Sequence, residues 1–372
     1  MVTTVFQILL WALLAYLIYV IGFMVWVETQ KRGDRYFARP LAERQRFVAL
    51  LKCHALFIRP LFEAIAKVAR LKKLPVIRYQ GVTGPVMMCS EKSYAYTQQY
   101  QPGAEDIIIA TQMKCGTTWM QQIVFEILHG GEGDLSDTGY HHLYAMSPWI
   151  ETSPTSSVSM ENALLVGKRQ NRLIKTHMPA QFIQQTAVAK YIYVTRHPVS
   201  CFASCVDFIR LLGGPLVPKR KDLLDWYCSD DMWWMSWPDH VEGWWQRSQQ
   251  HSNVLFVHYE ELKRDLPGMT RKIARFLEVD LTDQALQKVV NRSSFEYMRA
   301  HENHFEMLSP NVFSVSNRDI RFMQSGALDR HKDTQADERE RICAFTRSKL
   351  AKASYPLDQY YPDVLQTPPK AG

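Results

Sequence analysis

The hydrophobic pattern opens with an unbroken apolar run. Val5 to Val27 carries no charge over 23 residues. As a helix it would measure about 34 Å, enough to cross a hydrocarbon core of about 30 Å. The pattern predicts a transmembrane anchor within residues 1–30 rather than a cleaved leader: the run is too long, no charged segment precedes it and no A-x-A site follows. From Leu41 to Leu71 apolar side chains return at helical spacing, through Phe47, Leu50, Leu51, Ile58, Leu61, Phe62 and Ile65. Pro60 divides this stretch into two expected helices. Two placements fit them, on an anionic membrane surface or as a hairpin packed on the body, and the basic decoration favours the first.

The period then changes. Val76–Tyr79 and Val86–Cys89 read as lead-in strands around Gly81 and Gly84, and Ile107–Ala110 is a continuous β-branched run, as in a strand buried on both faces. It feeds Lys114, Gly116, Thr117 and Thr118, and then an amphipathic run through Ile123, Val124, Ile127 and Leu128. Strand, loop and helix in that order aim backbone N–H groups and a helix dipole at one spot, which suits a phosphate-type anion. No glycine stands where a Walker A loop requires one. Ser147–Ser159, rich in Ser, Thr and Pro, reads as a mobile loop over the site. Further strands are predicted ending at Lys175–His177, at Tyr191–Thr195 and at Val254–Tyr259, with a helix from Pro198 to about Leu212 and another over Lys272–Leu277. Trp233 to Trp245 holds five of the ten tryptophans and reads as a core-packed aromatic helix. The alternation implies an α/β fold: a doubly wound parallel sheet with ligands at the strands' carboxyl ends. Residues 76–372 form the catalytic domain on this reading, after an anchor at 1–30 and a basic helical segment at 31–75.

Charge changes the picture in one place. The net charge is +7, yet Lys31–Lys73 alone holds twelve Lys or Arg against Asp34, Glu43 and Glu63. The body is therefore close to neutral, which argues against nucleic acid as a partner. Lys31, Arg32, Arg35 and Arg39 follow the anchor directly, so the positive-inside rule places the body in the cytoplasm, on a single-pass protein. The seven cysteines show no CxxC, and Cys201 and Cys205 lack companions for a zinc set, so no metal is expected. Their use suits a reducing compartment.

These motifs together resemble the 3′-phosphoadenylyl-sulfate (PAPS)-dependent sulfotransferases, over about Asp106 to Met323. QMKCGTTW at Gln112–Trp119 is similar to the family's YPKSGTTW loop for the 5′-phosphosulfate. The resemblance implies Lys114 on the leaving phosphate, with Cys115, Gly116, Thr117 and Thr118 as loop contacts and Trp119 against the adenine. KTHMP at Lys175–Pro179 is similar to KTHLP, which implies His177 as the catalytic base and Lys175 as its companion. Arg196 and Ser204 keep the family's separation for the 3′-phosphate; SWPDHVEGWW at Ser236–Trp245 is a further shared stretch. Tyr259, Ser293, Phe295, Phe322, Met323 and Gly326 fall at further nucleotide contacts. The last motif departs from the family's FMRKGxxGDW, with Gln324 and Ser325 in place of Arg and Lys; Arg318, Arg321 and Arg330 are candidates to replace the lost charge.

The resemblance implies in-line transfer of a sulfonate from PAPS to an acceptor hydroxyl, on a small molecule or a lipid, without a metal. Two other readings stay open: a P-loop kinase preferring ATP, and an anchored nucleotide-binding protein without turnover, to which the Gln324–Ser325 departure points.

Overall fold

The structure, a computed structural model, describes residues 2–136, 139, 141–152, 154–306, 312–313, 322–323, 326 and 334–366. Its centre is a parallel sheet of four strands in the order β4–β3–β5–β6, with β3 Asp106–Thr111, β4 Arg172–Thr176, β5 Lys190–Thr195 and β6 Val254–His258. The register pairs Ala110 with Thr176 and Thr111 with Val194, so the exits of β3, β4 and β5 lie side by side. Side chains alternate between two cores, as period-two strands must. Ile107, Ile109, Ile192 and Val194 face one, and Ile108, Ala110, Tyr191 and Tyr193 the other. The first core takes the helix after β3, α3 (Thr117–Leu128). The second takes α4 (Pro198–Gly213) and α5 (Trp237–Gln250). The doubly wound sheet expected from the alternation is therefore present.

The N-terminal region differs in detail from expectation. α1 (Val2–Gln30) is helical throughout, exposed from Val2 to Ala15 and partly packed thereafter. α2 (Leu41–Ala69) is one helix, not two, and runs through Pro60. Buried Ala55 and Ile58 before the proline and Ala66 beyond it hold the two halves in line against the body, while the proline itself faces solvent. α2 thus packs on the body, with Arg44 donating to the carbonyls of Asn303 and His141. Its outer face leaves Leu56, Phe57 and Val68 exposed. α1 meets it through aromatic contacts, Tyr19 and Phe23 on His54 and Trp26 on Phe47.

Three segments of the body also differ. The lead-in hairpin pairs β1 (Val76–Tyr79) with β2 (Val82–Pro85), and Val86–Cys89 lies outside the strands. Gln80 and Gly81, both at positive φ, make the two-residue turn that fixes this register. Ser147–Ser159 is not a loose loop: Trp149, Ile150, Glu151, Thr152, Ser156 and Ser157 are buried. Trp149 bridges to Lys175, Gly33 donates its N–H to the carbonyl of Pro154, and Ser159 to the carboxylate of Asp34. The aromatic helix begins only at Trp237, capped by Ser236, while Trp234 and Met235 hold positive φ in the turn before it.

Candidate active site

The phosphate-type loop is built as the pattern implied. β3 ends at Thr111, Lys114 sits at φ +65°, and Gly116 at φ +107° caps α3. A Cβ at Gly116 would approach the Tyr259 ring to 2.9 Å, so both conformation and space demand glycine there. One cavity opens over this helix N-terminus. Lys114, Gly116, Thr117, Thr118 and Trp119 form its floor, with Arg196 and Ser204 lining it from β5 and α4. Tyr259, Phe295, Phe322, Met323 and Gly326 complete a largely apolar wall with Phe208, Leu211 and Met298, and Lys263 adds a further cation; the last four carry no motif signal.

The lining groups hold one another. The Arg196 guanidinium lies 4.5 Å from the Tyr259 ring centroid, and Trp119 meets the same ring edge-on at 5.3 Å. The Lys114 ammonium sits between the Phe208 and Phe322 rings, 4.8 and 5.0 Å from their centroids. Two expected contacts take other places. The Cys115 thiol is buried against the Cys201 sulfur at 3.8 Å, away from the cavity, because the turn that presents Gly116 points its predecessor into the core. Ser293 is fully buried, and its carbonyl accepts from Trp119 Nε1 at 2.7 Å, so it positions the indole. Gln324, Ser325, Arg318, Arg321 and Arg330 lie outside the described residues.

His177 and Lys175 stand deeper, at and just beyond the exit of β4, both buried. His177 Nδ1 is 2.8 Å from the Thr111 carbonyl and 3.0 Å from its hydroxyl, which in turn is 2.6 Å from the hydroxyl of Thr117. A carbonyl can only accept, so Nδ1 carries the hydrogen and Nε2 keeps its lone pair. Nε2 is buried with no hydrogen-bond partner among the described residues. The Trp149 and Trp234 rings flank the imidazole at 5.0 and 4.9 Å. Burial first, then the nearby charge of Lys175, holds the imidazole well below the usual histidine range.

Lys175 is held by the Tyr144 hydroxyl at 3.2 Å and lies 3.4 Å from the Trp149 ring centroid. Burial pulls its ammonium down, and Glu151 is the carboxylate that opposes this. Glu151 itself is fully buried and accepts from His177 N at 2.6 Å and from Trp149 Nε1 at 2.5 Å. Burial raises its carboxyl, and those donors work against the rise. Trp149, Glu151, Tyr144 and Thr111 were not singled out from the sequence. The first two lay in the stretch read as a loose loop, where a Trp-x-Glu among Ser and Pro was the available signal. On the other side of the site, Gln112 Nε2 donates to the carbonyls of Trp233 and Met235, tying the loop to the strained turn that carries Trp234.

Comparison with known proteins fits this geometry. The model described as "Sulfotransferase domain" matches residues 104–354, and the chain belongs to that sulfotransferase family. It is 30% identical over 298 residues to Sulfotransferase 2B1 of Homo sapiens, covering 77% of this chain and 79% of that protein. Sulfotransferase 1C2 of Rattus norvegicus is 28% identical over 252 residues, covering 66% of this chain and 82% of that protein. Among solved structures, a mouse sulfotransferase complexed with PAP, SULT7A1, superposes with a TM-score of 0.57 at 22% identity, over 74% of this chain and 94% of that one. A retinol dehydratase in complex with retinol and PAP gives 0.59 at 17%, over 78% of this chain and 95% of that one. These two likenesses concern the fold.

Proposed function

We propose that the enzyme transfers the sulfonate of PAPS to an acceptor hydroxyl, with His177 as general base. The observation that carries this reading is the state of the His177 ring: Nδ1 donating to Thr111, Nε2 unpartnered and the imidazole kept neutral by burial. Nε2 removes the acceptor's proton as its oxygen attacks sulfur; the bond from sulfur to the bridging phosphate oxygen breaks, and PAP departs. Such a loose transfer asks the protein mainly for position and charge. Lys114 neutralises the bridging oxygen, the α3 N–H groups assist, and Lys175 holds the sulfonate oxygens. Arg196 and Ser204, lining the same cavity as Lys114, bind the 3′-phosphate, and Trp119, Phe295, Phe322 and Met323 enclose the adenosine.

The acceptor's class follows from what flanks Nε2. The Trp149 and Trp234 rings suit an apolar alcohol of lipid type, and the structurally similar retinol dehydratase has been solved with retinol and with androsterone. Residues 1–30 serve as a single-pass anchor, since α1 exposes apolar side chains from Val2 to Leu14 and onward along one face at Leu17, Ile18, Ile21 and Val25. The cationic cluster after it turns residues 31–75 and the catalytic domain, residues 76–372, to the cytoplasm.

Calorimetric titration of the full chain in nonionic detergent tests the donor. PAP is expected to bind in the micromolar range or tighter, at least about tenfold tighter than ADP, with Arg196→Ala removing that preference. Equal binding of ADP and PAP to the wild-type protein would end the sulfotransferase reading of the cavity.

A further inference from the structure

A second cavity lies apart from the nucleotide site, at the seam between α2 and the body. Arg70, at the end of α2, meets Arg210, Lys219 and Arg220 from the end of α4 and the loop beyond it. Leu71 N donates to the Leu216 carbonyl, so the seam is a bonded junction and not a chance approach. Among the described residues only Arg220 of the four cations has a counterion, Glu338, which it meets in a two-point ion pair. Arg70, Arg210 and Lys219 are exposed around the cavity and form no ion pair among the described residues. The helix Arg220–Tyr227 starts here too, but its N-terminus is already capped by the Asp222 carboxylate, which accepts from Lys219 N at 3.2 Å. Three cations without an ion pair, lining one concave surface, favour an oxyanion with two or more charges.

We propose that this cavity binds the phosphomonoester headgroup of an anionic membrane lipid. The lipid source is favoured by what surrounds the cations. Leu71, bonded across the seam next to Arg70, is exposed, and Pro215, Val217 and Pro218 line the same cavity. Apolar side chains at the edge of a basic pocket match a headgroup with its acyl chains alongside. The site adds a specific contact to the membrane reading of α1 without depending on that helix spanning a bilayer.

Short-chain dihexanoyl phosphatidic acid, titrated into the full chain in nonionic detergent, is the direct probe. Wild type should bind it, and Arg70→Ala/Lys219→Ala should bind it at least about tenfold more weakly. Dihexanoyl phosphatidylcholine should not bind, and PAP affinity should stay the same in both proteins, which keeps this test separate from that of the nucleotide site. Lys219→Glu, a change of one exposed side chain, repeats the comparison should the double variant lose PAP binding. Equal phosphatidic acid binding by wild type and variant, or equal binding of phosphatidylcholine, would overturn the site. Inorganic phosphate binding as tightly as phosphatidic acid would overturn the lipid assignment and leave a soluble phosphate ester as occupant.

Discussion

At the residue scale the proposed chemistry rests on protonation states that burial favours. His177→Ala is expected to reduce kcat by about 10²–10⁴-fold, with PAP affinity little changed, as a rate assay beside calorimetry would show. A depressed histidine pKa keeps the base available in mild acid, so kcat should be level from neutrality down through the ordinary histidine value of 6.5. A half-loss of kcat near that value would remove His177 from the role. Glu151→Gln is expected to lower kcat about tenfold or more without weakening PAP, because Lys175 loses the carboxylate that supports its charge. Without it the lysine gives up its proton at lower pH, so the alkaline limb of the rate profile should shift downward; an unmoved limb would make Glu151 merely structural. The sequence made His177, Lys175 and Lys114 legible because each sits in a short motif at a strand exit. Glu151 was illegible since its partners are a backbone N–H and an indole brought together only by the fold.

At the scale of elements, α3 shows what the phosphate-type loop requires of its neighbours. Gly116→Ala combines a positive φ with a 2.9 Å approach to Tyr259, and should cost about 1–3 kcal/mol in the loop conformation. PAP affinity would fall more than thermal stability. The far end of the same helix buries Glu126, which accepts from Gln122 and from Gly133 N and whose carboxyl burial pushes up to about 8. Between its unfolded value of 4.5 and about 8 the folded protein holds a proton that the unfolded chain has released. Stability therefore falls as pH rises across that window. Thermal melts should show Glu126→Gln losing this decline, with the variant gaining on wild type from pH 5 to about pH 8.5; parallel curves would contradict a buried protonated carboxyl. Periodicity found the four strands of the parallel sheet and the helices after β3 and β5, since burial on a sheet face writes itself into the spacing of Ile and Val, but it gave no signal for the helix Ala336–Leu350. It failed where tertiary contacts overrode local signals, at Pro60 inside α2 and in the Ser- and Pro-rich segment that carries Trp149.

At the scale of the whole molecule, the N-terminal region belongs to the same packed body as the nucleotide site. Val20, Phe23 and Val27 are buried whereas Val2–Ala15 are exposed. Removing residues 1–15 should leave the melting temperature almost unchanged, while removing 1–30 should lower it or cause aggregation, because Phe47 and His54 lose their aromatic cover. Equal melting of the two truncated forms would show that the α1–α2 contact contributes nothing. The junction after α1 reaches further. Phe37 packs on Tyr144, whose hydroxyl holds Lys175, and Gly33 is bonded to Pro154 in the segment that delivers Glu151. A Cβ at Gly33 would lie 1.7 Å from the Ser157 carbonyl oxygen. Gly33→Ala, far in sequence from every motif, should thus depress kcat severalfold while PAP still binds, and unchanged turnover would make the junction passive. On the anchored reading proposed above, α1 is in mechanical terms a lever and not a leash. A bilayer too thick or too thin for that anchor would force it to tilt about a junction that reaches Lys175 through Phe37 and Tyr144, so turnover is expected to report the thickness of the membrane.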